Sequence, residues 1–506
     1  MKYDFTTILD RRGMDALAVD ALGVSDWAPD APKEGFDSIP MWVADMNFLT
    51  VPTVCEAIIE RAKHPAFGYF DPRAEYYESI IRWQSTRNGV EGLEPRHIGY
   101  ENGVLGGVVA AMGTFCSRGD SILLNGPVYL GFNSALTNAG YRLVVSPLVQ
   151  DEEGIWRMDY ADMERKLKEN RIHAAILCSP HNPTGRVWER WELERAMELY
   201  RQYDVYVVSD EIWSDILLDG HKHIPTQSIS EDARMRTVAM YAPSKTFNLA
   251  GLVGAYHIIY NDRLRDRMEK ESSLSHYNNM NLLSMYALIG AYKDEGHQWV
   301  DELCQVLSEN LDYGYRYITE HFEGVSVARP QGTYMLFLDC ARWMEDHNQT
   351  LPELLKAGWD VGVAWQDGTD HGGTTHIRLN LALPMERVKE AFRRMDEYVF
   401  NRPAEAPEAD EVAAPAVEMS GGWWTRAAQT RRAPAKPVVK AVQTEDPAEV
   451  VEAEEVAETV EIAEAAEVVE TEEAVEVAEV AETQEDAEVV EAAETAEWQN
   501  GEMFER

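Results

Sequence analysis

Positive charge is in short supply: 46 lysines and arginines stand against 88 aspartates and glutamates, a formal net charge of −42 over 506 residues. Nucleic-acid phosphates are held by clustered Lys and Arg, so a nucleic-acid surface is excluded. Cysteine is also scarce. The five, Cys55, Cys116, Cys178, Cys304 and Cys340, are far apart and show neither CxxC nor Cys/His ligand spacing. That excludes a disulfide scaffold or a thiolate metal centre and leaves reduced, mostly buried thiols as the expectation. Long hydrophobic runs are absent as well. No stretch of about 18 apolar residues is there to cross a bilayer, and the opening Met1–Gly13 has no signal-length apolar segment behind its charges. No membrane association and a cytoplasmic location are expected.

What is present is enough apolar sequence, 45% of the chain, to build two or three domains. From about residue 97 to 260, short β-rich apolar runs alternate with amphipathic stretches, the pattern of a mostly parallel sheet wrapped by helices. Strands are predicted at 121–124, 143–146, 174–178, 205–209, 238–241 and 254–260, with helices at 104–116 and 191–203. In the second helix Leu193, Met197 and Tyr200 are spaced to share a face. Residues 291–400 read as a helix over 298–322, apolar strands at 334–338 and 375–381, and an amphipathic end at 386–398. The expected organisation is an N-terminal segment 1–50 packing with the smaller domain, a large α/β domain over 51–290, and a small α+β domain over 291–400.

Composition changes at Arg402. Residues 401–506 carry 29 acidic and 7 basic residues, with a Trp423-Trp424 pair and a basic patch (Arg426, Arg431, Arg432, Lys436, Lys440) ahead of a Glu/Ala/Val tract. In that tract Glu recurs at every third position from Glu449 to Glu497. A three-residue period does not match the 3.6-residue helical turn, so no apolar face would persist along a helix. A disordered acidic tail is expected. Its Trp-Trp and basic segment is either a motif for a protein partner or incidental linker sequence.

The chemistry sits at strand ends. Tyr241-Ala-Pro-Ser244-Lys245-Thr-Phe-Asn248 follows the predicted strand 238–241. A lysine is costly to keep as a free ammonium at the end of a buried strand, so a covalent or tightly paired role is indicated, although a Ser-Lys pair alone is more often on a surface. Asp210 ends the run 205–209, where open α/β sheets place ligands; alone it could equally cap a helix. Strand 174–178 leads into Ser179-Pro-His-Asn182-Pro-Thr-Gly185, by itself a plain turn. The order is what gives these residues weight, because Asn182, Asp210 and Lys245 each follow a separate strand of one sheet and can converge at its edge. Glu101-Asn102-Gly103-Val104-Leu105-Gly106-Gly107, between a strand and a helix, offers backbone N–H groups to an anion. Tyr129 follows the predicted strand 121–124 and suits stacking on a flat ring or a place in the core. Arg378 lies in a strand-like run; its planar fork suits a carboxylate, and on pattern alone it reads as a solvated edge-strand arginine.

Together with Asp10-Arg-Arg-Gly13, Ile39-Pro-Met-Trp-Val-Ala-Asp-Met46 and His64-Pro-Ala-Phe-Gly-Tyr69, these motifs over residues 1–400 resemble the MalY/PatB group of cystathionine β-lyases and cysteine-S-conjugate lyases, within the class I/II aminotransferase-like superfamily. The resemblance implies a fold-type I enzyme using pyridoxal 5′-phosphate. It implies Lys245 as the Schiff-base lysine and α-proton base, and Asp210 as partner of the ring nitrogen. Asn182 would lie at the cofactor's 3′-oxygen, with Tyr129 stacked on its ring and assisting proton transfer. Gly103, Val104 and Ser244 would hold its phosphate, and Arg378 the substrate carboxylate. Tyr69 would reach the phosphate of a neighbouring subunit, which implies a homodimer. The implied reaction is β-elimination on cystathionine or cysteine conjugates, giving a thiol, pyruvate and ammonia. An aminotransferase would share every one of these residues, and a regulatory protein using the tail is a reading of another class. Three positions depart from the pattern: Asn47 where relatives read Asp, Trp213 where they carry Tyr or His, and Val253 where many aminotransferases place a phosphate-binding arginine.

Overall fold

The computed structural model describes residues 1–25, 27–275 and 278–401. The expectations for residues 402–506, a disordered tail with a partner motif, lie outside the described residues. Among the described residues an eight-stranded sheet is built from β1 (Ile98–Glu101), β2 (Ser121–Gly126), β3 (Arg142–Gln150), β4 (Trp156–Met158), β5 (Ala174–Cys178), β6 (Tyr206–Asp210), β7 (Thr237–Tyr241) and β8 (Ala255–Ile258). Their spatial order is β1-β8-β7-β6-β5-β2-β3-β4. The central five, from β7 to β3, are mutually parallel, and β1, β8 and β4 join antiparallel at the two margins.

Alternation along the central strands decides which helices they bind. Ile122 and Leu124 face one side, where they pack with Val104, Val108 and Met112 of α1 (Gly103–Phe115). Leu123 faces the other and packs with Leu193, Met197 and Tyr200 of α3 (Arg190–Gln202); α2 (Leu130–Asn138) comes between them in the chain. Strands covered on both faces have no solvent side, which is why β5 and β7 are buried throughout and read as unbroken apolar runs. Predicted and observed strands differ by at most two residues at their ends, except that the strand expected at 143–146 runs on to Gln150. Lys245 is not on a strand end but in a short helical turn, Pro243–Thr246, that Pro243 opens just beyond β7.

A second, antiparallel sheet of four strands runs β9-β10-β12-β11, with β9 Ser326–Val327, β10 Met335–Asp339, β11 Gln366–Asp367 and β12 His376–Asn380. It packs with α4 (Asp294–His321) and α5 (Met385–Met395). The N-terminal segment lies along this part: Ile39–Pro40 pairs in parallel with Val363–Ala364, and the Lys2 N–H donates to Glu302 Oε2 at 2.7 Å. All five cysteines are free, as expected, but only Cys178 and Cys340 are buried and Cys55 is exposed. Among the described residues no helix is long and apolar enough to cross a membrane, and no His/Cys/Asp/Glu cluster could hold a metal.

Candidate active site

The adjacent parallel strands β5, β6 and β7 end together, with Cys178 opposite Asp210 and Asp210 opposite Met240. Their carboxyl ends therefore deliver Asn182, Asp210 and Lys245 to one place, the position at which parallel α/β sheets bind ligands. A cavity of about 520 Å³ opens there and is lined by Gly103, Val104, Tyr129, Asn182, Asp210, Ser244 and Lys245. Seven of the residues singled out in the sequence thus share one cavity.

The charges in it are shifted toward each other. Burial pushes the Asp210 carboxyl up to about 7; the Ile212 N–H, 3.1 Å from Oδ1, and the Lys245 charge oppose that rise, and neighbouring Glu211 adds to it. The protein around Lys245 takes its amine down to about 8, with the nearby Arg378 charge acting in the same sense and Asp45 and Asp210 against it. Lys245 Nζ donates to the Ala44 carbonyl at 2.8 Å, and the next residue, Thr246, donates to Asp215 Oδ2 at 3.0 Å, so the turn is pinned on both sides. Glu211 is itself fully buried and takes hydrogen bonds from His223, Tyr241, Ser209 and the Thr226 N–H, which holds the end of β6 in place.

At the other wall, Gly103 opens α1 with φ +75°, a conformation glycine adopts without strain. The preceding turn is locked from behind. Glu101, buried, accepts from His257 Nδ1 at 2.7 Å and from Asn278 at 3.0 Å, and Asn278 Oδ1 accepts from the Asn102 N–H at 2.7 Å. The turn so fixed places Gly103 and Val104, the first residues of α1, in the cavity wall. Tyr129 caps α2 and can lie across its first turn because residue 131 is glycine; a β-carbon there would come within 2.4 Å of the ring. The Tyr129 loop is tied to the small sheet's side by a reciprocal pair: Val128 N–H to His371 O at 2.9 Å, and His371 Nδ1 to Val128 O at 3.0 Å.

Arg378 corrects the pattern-based expectation of a solvated edge-strand residue. Strand β12 lies between β10 and β11, and Arg378 is buried, its guanidinium lowered to about 10 by loss of water. It donates from Nη1 to Asn182 Oδ1 at 3.1 Å and from Nη2 to the Trp42 carbonyl at 3.0 Å, while Nε has no partner. Because a guanidinium can only donate, this contact fixes the Asn182 oxygen toward Arg378 and leaves the amide N–H groups for the cavity. Tyr69 is not brought together with the others: it is fully exposed and does not line the cavity of its own chain.

The three departures have definite surroundings. Asn47 still accepts, from Arg11 Nη1 at 3.1 Å, and the negative charge beside it comes from Asp45, which the same arginine grips through Nη1 and Nη2 at 3.2 and 2.5 Å. Trp213 lines the cavity, buried edge-on against Tyr334 with centroids 4.7 Å apart. Val253 also lines it, in the left-handed region at φ +52°, an uncommon and strained state for a β-branched residue. Sequence reasoning assigned no role to Trp42, Ala44 and Asp45, or to Asn248, which holds Met46 by hydrogen bonds of 3.0 and 2.9 Å to its N–H and carbonyl. The signal was the Met41–Met46 motif itself, used only as a mark of resemblance.

Residues 38–395 match the family model for aminotransferase class I and II. The chain belongs to this family. Within the class I and II aminotransferases it is 34% identical over 363 residues to cystathionine β-lyase PatB of Bacillus subtilis, which covers 71% of this chain and 92% of the relative. Its structure is similar to the pyridoxal-phosphate-bound C–S lyase of Staphylococcus hominis (TM-score 0.70, 29% identity, 78% of this chain and 98% of that one). It is similar also to cystalysin of Treponema denticola, whose crystal structure contains pyridoxal 5′-phosphate (TM-score 0.71, 27% identity, 78% and 98%). The residues present fit that cofactor. A buried carboxyl raised by desolvation needs a cationic partner, a partly neutral amine stands beside it, and a helix N-terminus faces the same cavity.

Proposed function

We propose that this class I/II aminotransferase-family protein is a carbon–sulfur β-lyase that converts a sulfur-containing amino acid and water into a thiol, pyruvate and ammonia. The observation that carries the chemistry is the convergence of Lys245, Asp210 and Asn182 at one strand-end cavity, with Arg378 hydrogen-bonded to Asn182. Similarity to PatB and the C–S lyases favours elimination over transamination. The cofactor is pyridoxal 5′-phosphate, which when bound supplies an electrophilic aldehyde and an aromatic ring that accepts an electron pair.

Lys245 would hold the cofactor through Nζ, and the same amine, lowered to about 8, is suited to take the substrate α-proton. Asp210 holds the proton of the ring nitrogen. Asn182 would donate from its amide to the cofactor's ring oxygen, and Tyr129 would stack on its ring and assist proton transfer. The N–H groups of Gly103 and Val104 and the Ser244 hydroxyl bind the phosphate. Arg378 receives the substrate α-carboxylate, and its fixed contacts to Asn182 and Trp42 align that end of the substrate before reaction.

Incubation with L-cystathionine and no keto acid is expected to release pyruvate in step with homocysteine. An amino group that stays on the substrate until a keto acid is added would replace elimination by transamination. We also propose a homodimer in which Tyr69 completes the phosphate site of the partner. Supporting it, the segment 49–69 exposes Leu49, Ile59, Phe67 and Tyr69. Sedimentation should give twice the chain mass of 57.3 kDa; a monomer that binds cofactor tightly contradicts this assembly. Five free cysteines suit a reducing compartment, and we place the enzyme in the cytoplasm.

A further inference from the structure

We infer that a second cavity, on the far side of Lys245, takes the sulfur substituent of the substrate and selects an apolar or aromatic one over a second amino-acid end such as that of cystathionine. The inference rests on the β-elimination reading and narrows its substrate class. The cavity measures about 490 Å³ and shares Ala44, Tyr129, Lys245 and Ala250 with the cofactor cavity. Arg378 lies at its wall, so a substrate whose α-carboxylate is held there and whose amine meets Lys245 extends its side chain into the remaining space.

That space is walled by the N-terminal segment. Trp27 and Trp42 stand with rings 5.5 Å apart, and the Trp42 N–H is spent on the Ala18 carbonyl at 2.9 Å, so the indole offers apolar surface. Met14 and Leu17 line the same wall and are exposed, and an occupant would cover them. Apart from Asp15, the charged groups of this wall are already committed. Arg11 grips Asp45 with two hydrogen bonds and Asn47 with a third. Arg378 is bound to Asn182 and Trp42. Gln366 stands opposite Arg378 in register, so its side chain projects to the same face, and its buried Oε1, which has no hydrogen-bond partner and can only accept, suits the substrate α-amine beside the carboxylate that Arg378 holds. Asp15 remains at the exposed rim. A distal ammonium could meet Asp15 only at the solvated rim, and the distal carboxylate would have to break the Arg11–Asp45 pair or lie unpaired against indole, whereas a benzyl or alkyl group buries its surface there without opposition.

The test compares S-benzyl-L-cysteine with L-cystathionine on the cofactor-loaded enzyme. Pyruvate release should show kcat/KM at least roughly tenfold higher for the benzyl compound, the scale on which apolar pockets discriminate. The sulfur-to-methylene analogues of both, which have no thiolate to lose, should show dissociation constants in the same order when titrated by the cofactor's absorbance. Trp27→Ala should shrink the ratio about fivefold or more. Equal or better turnover of cystathionine, or a ratio indifferent to Trp27→Ala, overturns the inference while leaving the lyase reading intact. Tighter binding of the benzyl analogue with no pyruvate from either substrate supports the pocket and removes the lyase reading.

Discussion

Lys245→Ala is expected to yield a folded protein that lacks the visible absorbance of covalently held pyridoxal phosphate and releases pyruvate on the order of 10⁴-fold more slowly, the upper range for loss of a positioned base. The effect should be this large because in the proposed mechanism one atom serves twice, as attachment point and as α-proton base, and among the described residues no second amine lines the cavity. The wild-type amine also predicts a rate. Only the neutral form attacks an aldehyde, and Lys245 titrates near 8 instead of at its ordinary 10.5. Loading of cofactor-free enzyme should therefore accelerate about tenfold per pH unit below 8 and level off above it. A rate still climbing between pH 9 and pH 10 would mean that the amine is not desolvated as described. A visible band that survives in Lys245→Ala would remove the assignment altogether.

Asp210→Asn is expected to move activity and stability in opposite directions. On the proposed role the ring nitrogen would lose the carboxylate that keeps it protonated, and turnover should fall on the order of 10³-fold. The cofactor-free protein, in contrast, should gain about 2–4 °C in thermal midpoint at pH 8. The sign follows from proton linkage. Burial raises the folded-state value from 3.8 to about 7, so the folded chain holds more protons than the unfolded one between those limits. Stability attached to this group is complete below pH 3.8 and is lost as pH rises through 7. Asparagine avoids that loss and can still accept the Ile212 N–H. The gain should shrink toward zero near pH 4, measured by thermal unfolding of both proteins at several pH values. A destabilised variant at pH 8 would show that attraction to Lys245 outweighs burial.

These two residues were legible before any coordinates because their signals are local. An apolar run followed by a polar residue marks the end of a parallel strand, and three such ends in order, at Asn182, Asp210 and Lys245, already imply one sheet edge. Arg378 was legible only as a residue type. Its burial depends on β12 having a strand on each side, and its contact with Asn182 joins residues 196 positions apart. The same holds for Ala44, whose carbonyl positions Lys245 from 201 residues away.

The sequence by itself determined the sheet and the polar residues at its strand ends, since periodicity acts over a few residues, and its motifs marked the resemblance that implied the cofactor. Tertiary structure alone decided that the N-terminal segment lies over Lys245, that Arg378 is buried against Asn182, and that a second, largely apolar cavity opens beyond the lysine. Those outcomes come from surfaces packing together across hundreds of residues, and no local pattern encodes which surface finds which.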